Sequence, residues 1–169
     1  MLHDVIPPAF PYAKLTPTPS LTNPPMQTID ITETIALPPE RVFELLADHA
    51  NYHRFPGITA SELLTEGDPA PNGLGAVRRV SLGDVVLDEE ITGFEGPKRL
   101  AYRIIASKPV KVLHEGGEIE ITEVPEGSRI RWRSTFRIKI PLIGWFVTRR
   151  AAQQFERGFR AVLQSLPEL

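Results

Sequence analysis

The chain has 169 residues, 41% of them apolar, with 19 basic against 21 acidic side chains and a net charge of −2. That make-up fits one globular domain with a tail, and the charge balance argues against a dedicated nucleic-acid binder. With no cysteine, disulfides, thiolate chemistry and cysteine-held zinc or iron–sulfur clusters are excluded, and no apolar run reaches the ~18 residues of a membrane span.

Residues 1–26 hold seven of the seventeen prolines, no glycine, and two charged residues, Asp4 and Lys14. Proline at this density forbids helix and breaks sheet ladders, so the arm reads as extended or polyproline-like. Val5, Ile6, Phe10, Tyr12, Leu15 and Leu21 make it more apolar than a disordered tail. It either wraps the body or a neighbouring subunit, giving a homodimer, or stays free. The start lacks both a basic stretch and an uninterrupted apolar core, so no secretory signal is expected and the placement is cytoplasmic.

Residues 27–169 read as a single domain. Ile29, Ile31 and Ile35 alternate with polar residues, the period of a half-buried strand. Pro38-Pro39 ends it, and Pro39 suits the first turn of a helix over residues 40–48, with a second short helical turn over 49–54. Strands follow near 59–66, 75–82, 85–95, 98–107, 110–123 and 128–140, separated by glycine- and proline-marked turns. Connections this short suit an antiparallel meander. After Pro141 a long helix places Phe155, Phe159, Val162, Leu163 and Leu166 on one stripe. A seven-stranded sheet and this helix must bury each other's apolar faces. The result is an α+β protein whose sheet curls round the helix, with room for a cavity between.

Several stretches resemble the helix-grip superfamily of START domains, birch-pollen-type allergens and polyketide cyclase/dehydrase-like (SRPBCC) proteins. They are Ile35-Ala36-Leu37-Pro38-Pro39-Glu40-Arg41-Val42-Phe43, Asn51-Tyr52-His53-Arg54-Phe55-Pro56-Gly57-Ile58, Asn72-Gly73-Leu74-Gly75, Glu89 followed by Gly96-Pro97-Lys98-Arg99-Leu100-Ala101-Tyr102, and Arg131-Trp132-Arg133. Together they span about residues 28–166. The resemblance implies a fold and a pocket, not a reaction. The proline-rich arm departs from the family pattern, as does Arg54-Phe55-Pro56-Gly57, where many relatives carry a tryptophan before a proline.

Strand alternation assigns the inward side chains. Ile130, Trp132, Ser134, Phe136, Ile138 and Ile140 share the apolar face of the last strand, and Arg129, Arg131, Arg133, Arg137 and Lys139 the other. Leu100, Tyr102 and Ile104 should also face in, as should Val85, Leu87, Glu89 and Ile91. A carboxylate on an apolar wall is costly unless paired. Glu89 is therefore either a general acid/base or ligand anchor, or the partner of an arginine such as Arg78 or Arg103.

His114-Glu115-Gly116-Gly117-Glu118 lacks a second histidine and reads as a strand with a bulge, which leaves the facing of His114 open between the inside and a solvent-side or rim position, the latter expected. Asp48, His49 and His53 could approach a metal, but a capped, solvent-facing turn explains them better. No metal and no cofactor is expected. The arginine row is matched by Glu118 and Glu120 on the neighbouring strand. The apolar segment 140–147 beside Arg149 and Arg150 reads as a lid or core junction rather than a membrane contact.

The expected function is binding or carriage of a small apolar or amphipathic molecule in the cavity. Phe43, Tyr102, Trp132, Ser134, Phe136, Phe155 and Phe159 are the expected contacts. The alternative is a cyclase or dehydratase acting on a polyketide-like or aromatic substrate, with Glu89 as acid/base.

Overall fold

The structure, a computed structural model, describes residues 25–169. The arm expected over 1–26 lies outside these residues except for Pro25 and Met26, and with it any wrap or dimer contact.

Strand β1 (Gln27–Ile35) buries Ile29, Ile31 and Ile35 and exposes Thr28, Asp30 and Thr32. Helix α1 (Pro39–Ala47) starts on Pro39 and buries Val42, Leu45 and Leu46. A 3-10 turn (His49–Arg54) follows. Then come β2 (Ala60–Thr65), β3 (Val77–Leu82), β4 (Val85–Glu95), β5 (Arg99–Lys108), β6 (Lys111–Val124) and β7 (Gly127–Lys139). The chain closes with α2 (Gly144–Ser165) and a short 3-10 turn. All seven strands form one antiparallel sheet in the order β1-β7-β6-β5-β4-β3-β2. The return of β7 to pair with β1 is what sets the first strand beside the last.

Period-two alternation decides the faces. On β7 the buried residues are Ser128, Ile130, Trp132, Ser134, Phe136 and Ile138, with the arginines between them turned outward. On that outer face Arg131 pairs with Asp30 of β1 at 2.7 Å and lies 3.9 Å from Glu120 of β6. Arg99 holds Glu95 at 2.6 Å and also Glu118. The charged rows thus satisfy one another across strands.

Helix α2 lies on the concave face against β1 and β7. Val162 and Leu163 are buried there, followed by Leu166. Two aromatic pairs fix its middle to β7: Trp132 stacks on Phe159 at 4.0 Å, and Phe136 meets Phe155 edge-on at 5.5 Å. Thr148 Oγ1 accepts the N–H of Ile138 and donates to the Gly144 carbonyl, tying the first turns of α2 to the end of β7.

Candidate ligand cavity

Between the sheet and α2 is a cavity of about 100 Å³. That is several times what one water needs, and somewhat below the ~150 Å³ cavity that takes up benzene in another protein. Its walls are mostly apolar, from Val80, Leu82, Leu87, Ile104, Val112 and Val162 with the aromatic rings. Of the expected contacts, Tyr102, Trp132, Ser134, Phe136, Phe155 and Phe159 line it, and so does Glu89. Phe43 does not. Its half-buried ring packs edge-on against Phe94 at 5.0 Å and lines a separate surface depression. Helical spacing identified Phe43 as apolar-facing but could not say which of two apolar surfaces it meets.

One wall is polar and fully partnered. Arg78 and Glu89 are cross-strand neighbours on β3 and β4, so both point into the cavity side. Arg78 Nε donates to Glu89 Oε2 at 2.8 Å, with the side chains only 2% and 9% exposed. Of the two candidate partners, then, Arg78 takes Glu89; Arg103 pairs instead with Glu90 at 3.0 Å on the outer side. Arg78 Nη1 donates to His49 Nδ1 at 3.1 Å, and the opposite ring nitrogen of His49 donates to the Asn72 carbonyl at 3.0 Å. The guanidinium lies over the ring of Tyr52 at 4.3 Å and that of Tyr102 at 5.3 Å, a cation–π setting. Burial opposes the charge on Arg78, but Tyr52, Glu89 and Tyr102 outweigh it and raise its pKa above the ordinary value.

His49 corrects the expectation of a solvent-facing turn. It is wholly buried, because the 3-10 turn folds inward to bring Tyr52 and Phe55 into the core. Burial, with the Arg78 charge adding, pushes its pKa down to about 3. Asp48 faces out to Arg54 at 2.6 Å and His53 is exposed. The three residues do not converge, and among the described residues no cluster of metal-ligating side chains occurs.

His114 is half-buried at the bulge. The β6 register shifts between His114 and Gly116, and the β5–β6 ladder runs only from Arg99↔Glu120 to Tyr102↔Gly117. Where it stops, the His114 side chain takes over. Its Nδ1 accepts the Ile104 N–H at 2.9 Å, so Nε2 carries the proton and donates to Ser134 Oγ at 3.0 Å. Burial, with Arg103 adding, lowers its pKa to about 4. Tyr102 stacks on this ring at 5.5 Å and accepts a hydrogen bond from Trp132 Nε1 at 3.1 Å. Burial pushes the Tyr102 phenol up, and the Glu89 charge adds to it. Gly117 makes the arrangement fit: a Cβ there would fall 2.2 Å from the Tyr102 ring.

The polar side chains bordering the cavity are thus the Arg78–Glu89 pair, the Ser134 hydroxyl and the phenols of Tyr52 and Tyr102, with the imidazoles of His49 and His114, neutral at pH 7, hydrogen-bonded behind Arg78 and Ser134. Tyr52, Pro56 and Ile58 are further wall residues that the alternation of strands could not reach, since they come from the turn after α1.

Comparison with known proteins agrees with this architecture. An uncharacterized protein of Mycobacterium tuberculosis strain H37Rv is 30% identical over 111 residues, 65% of this chain and 65% of that protein. The aligned part is therefore just under two thirds of the relative's length. A START superfamily protein from Mycobacterium smegmatis superposes with a TM-score of 0.67 at 13% identity, covering 85% of this chain and 97% of that one. An aromatase/cyclase from Streptomyces sp. R1128 gives 0.62 at 20% identity, covering 84% and 94%. Such identities speak to the fold alone. The sheet, the helix it holds and the cavity between them all fall within residues 26–169, the span matched by one family description, and the chain belongs to that family, polyketide cyclase/dehydrase and lipid transport.

Proposed function

We propose that the protein binds or carries a small, uncharged, largely apolar molecule, about one or two rings in size, in the cavity between sheet and α2. The observation that carries this reading is the charge-balanced polar wall inside an apolar chamber. Arg78 is already neutralised by Glu89, and both histidines stay neutral well below pH 7. A carboxylate or phosphate entering there would add an unmatched buried charge, which is costly. A hydroxyl or carbonyl would instead use donor and acceptor capacity left on Arg78, Glu89 and Ser134.

The size of the effect is adequate. Burying ~300 Å² of apolar ligand surface at ~25 cal/mol per Å² gives roughly 7 kcal/mol before association costs. Without those costs the figure corresponds to a Kd of ~10 μM, so the expected affinity is weaker than that, from upper micromolar to millimolar. A ligand larger than one ring must shift the aromatic side chains, because the resting cavity is only about 100 Å³.

Gly158 offers a clean test. It lines the cavity from α2, and nothing lies within 4 Å of the position its Cβ would take. Gly158→Leu should fill the chamber while improving helix propensity, so the variant folds yet loses binding. Calorimetric titration with 2-naphthol and 2-naphthoic acid at pH 7.5 then reads the head-group preference. The alcohol should bind at least ~10-fold tighter, a difference of about 1.4 kcal/mol. Glu89→Gln removes the counter-charge of Arg78 and should shift the preference toward the acid. Equal binding of both ligands by the parent, or unchanged binding by Gly158→Leu, sinks the reading. Turnover of an aromatic polyketide substrate that disappears in Glu89→Gln would favour the cyclase or dehydratase reading, with Glu89 as acid/base.

A further inference from the structure

The corner between β7 and α2 is half core and half surface. Ile140 and Val147 pack against the core, and Gly144 and Thr148 are buried. The remaining apolar side chains turn away from it. Leu142 is 83% exposed, Ile143 56%, and Trp145 and Phe146 53% each. Leu142 has a φ of +66°, a left-handed conformation that bulky residues seldom adopt. The backbone is held in an uncommon state that presents a large apolar side chain to solvent, and such strain concentrates at working surfaces.

Charge identifies what covers this patch. Lys139, Arg149 and Arg150 surround it, all exposed, and Trp145, Phe146, Arg149 and Arg150 line one shallow depression. Lys111 stands directly opposite Lys139 across the β6–β7 ladder, a like-charge pairing that costs stability. Residues 127–155 contain no acidic side chain at all. Among the described residues, none of these four cations is in an ion pair. A second copy of the chain would bring the same cations to the contact. The arm over residues 1–24 carries only Asp4 against Lys14 and offers no net complement. An anionic lipid surface supplies both needs, phosphates for the cations and hydrocarbon for the rings.

We infer that the β7–α2 corner docks on anionic membrane surfaces, with Leu142, Ile143, Trp145 and Phe146 entering the headgroup boundary and Lys111, Lys139, Arg149 and Arg150 meeting lipid phosphates. The patch borders the cavity. Val112 lines that chamber immediately after Lys111, and it pairs with Ile138, the neighbour of Lys139. Docking therefore sets the chamber beside the phase in which uncharged apolar molecules dissolve.

The full chain is to be sedimented with vesicles of phosphatidylcholine containing 30% phosphatidylglycerol, and with vesicles of phosphatidylcholine alone. Binding to the anionic vesicles, weakened by salt, is expected. The double variant Arg149→Glu, Arg150→Glu should bind at least ~20-fold more weakly, at about fivefold for each basic residue lost. Trp145 should shift to shorter emission wavelengths on binding, and Trp145→Phe should abolish that shift. Because all these side chains are exposed, circular dichroism and melting should be unchanged in the variants. The inference is overturned by absence of sedimentation with anionic vesicles, or by full binding in the charge-reversed variant. It is equally overturned if Trp145 is shielded from iodide without vesicles. Shielding at every protein concentration would assign the patch to the arm, and shielding only at high concentration would assign it to a second copy.

Discussion

Two arginine–carboxylate pairs with nearly the same separation sit on opposite faces of this sheet. Arg78 and Glu89 meet at 2.8 Å on the inside, with side chains 2% and 9% exposed. Arg131 and Asp30 meet at 2.7 Å on the outside, with side chains 49% and 38% exposed. Both join neighbouring strands, β3 to β4 and β1 to β7. Outside, water competes for every hydrogen bond and screens the attraction, so the pair dresses the surface and little else. Inside, neither partner can be removed without stranding the other. Equal distances therefore do not mean equal roles, and the inner pair is the one that decides which molecules the chamber tolerates.

The largest expected effect breaks the inner pair. Arg78→Met leaves Glu89 buried without a counter-charge and should cost about 3–5 kcal/mol in urea denaturation. Adding Glu89→Leu should recover most of the loss, because replacing both partners by apolar groups is often neutral. A double variant as unstable as the single one would show that Arg78 stabilises chiefly through the rings of Tyr52 and Tyr102.

Acidification separates the two faces next. His49 has a folded-state pKa of about 3 and His114 one of about 4, both below the ordinary 6.5. The unfolded chain therefore takes up protons that the folded chain refuses. Their contribution is complete above about pH 6.5 and is lost as the pH falls toward those folded values, with roughly 3 kcal/mol gone by pH 4 from His49 alone. Asp30 is held below its usual value by the Arg131 hydrogen bond, so the outer pair weakens only below about pH 4. His49→Asn, which keeps an acceptor for Arg78, should flatten the thermal-melting profile between pH 6.5 and 4. A profile that stays steep would move the acid sensitivity elsewhere.

The smallest effect is on the outside. Arg131→Gln should move the melting temperature by less than about 2 °C. A larger fall would mean that the outer charge rows act as one network rather than as separate pairs.

Much of this arrangement was legible in the sequence because strands write their faces in alternation. The buried set on β7, the inward Glu89 and Tyr102, and the stripe of α2 all follow from period two or period 3.6. What could not be read came from places where those periods fail. His49 lies in a 3-10 turn, where neither period applies, so its burial had no signal. His114 stands at a register shift, and a one-residue slip reverses a strand's facing. The adjacent glycines marked the bulge without telling which side it favoured. Phe43 was assigned to the right kind of surface and the wrong one of two. At the corner after β7 the apolar run was legible as a string of hydrophobes. Its division into inward and outward halves depends on the left-handed turn at Leu142, which composition does not announce.

Gly117 has a consequence of its own. As the partner of Tyr102 across the β5–β6 ladder it occupies an inward strand position, yet it leaves that position empty and lets the phenol ring lie flat along the sheet. A methyl group there would force the ring upright into the chamber. A single hydrogen-for-methyl exchange on the sheet would then act as a valve on interior volume, giving related chains a way to change what they admit without altering any residue that touches the guest.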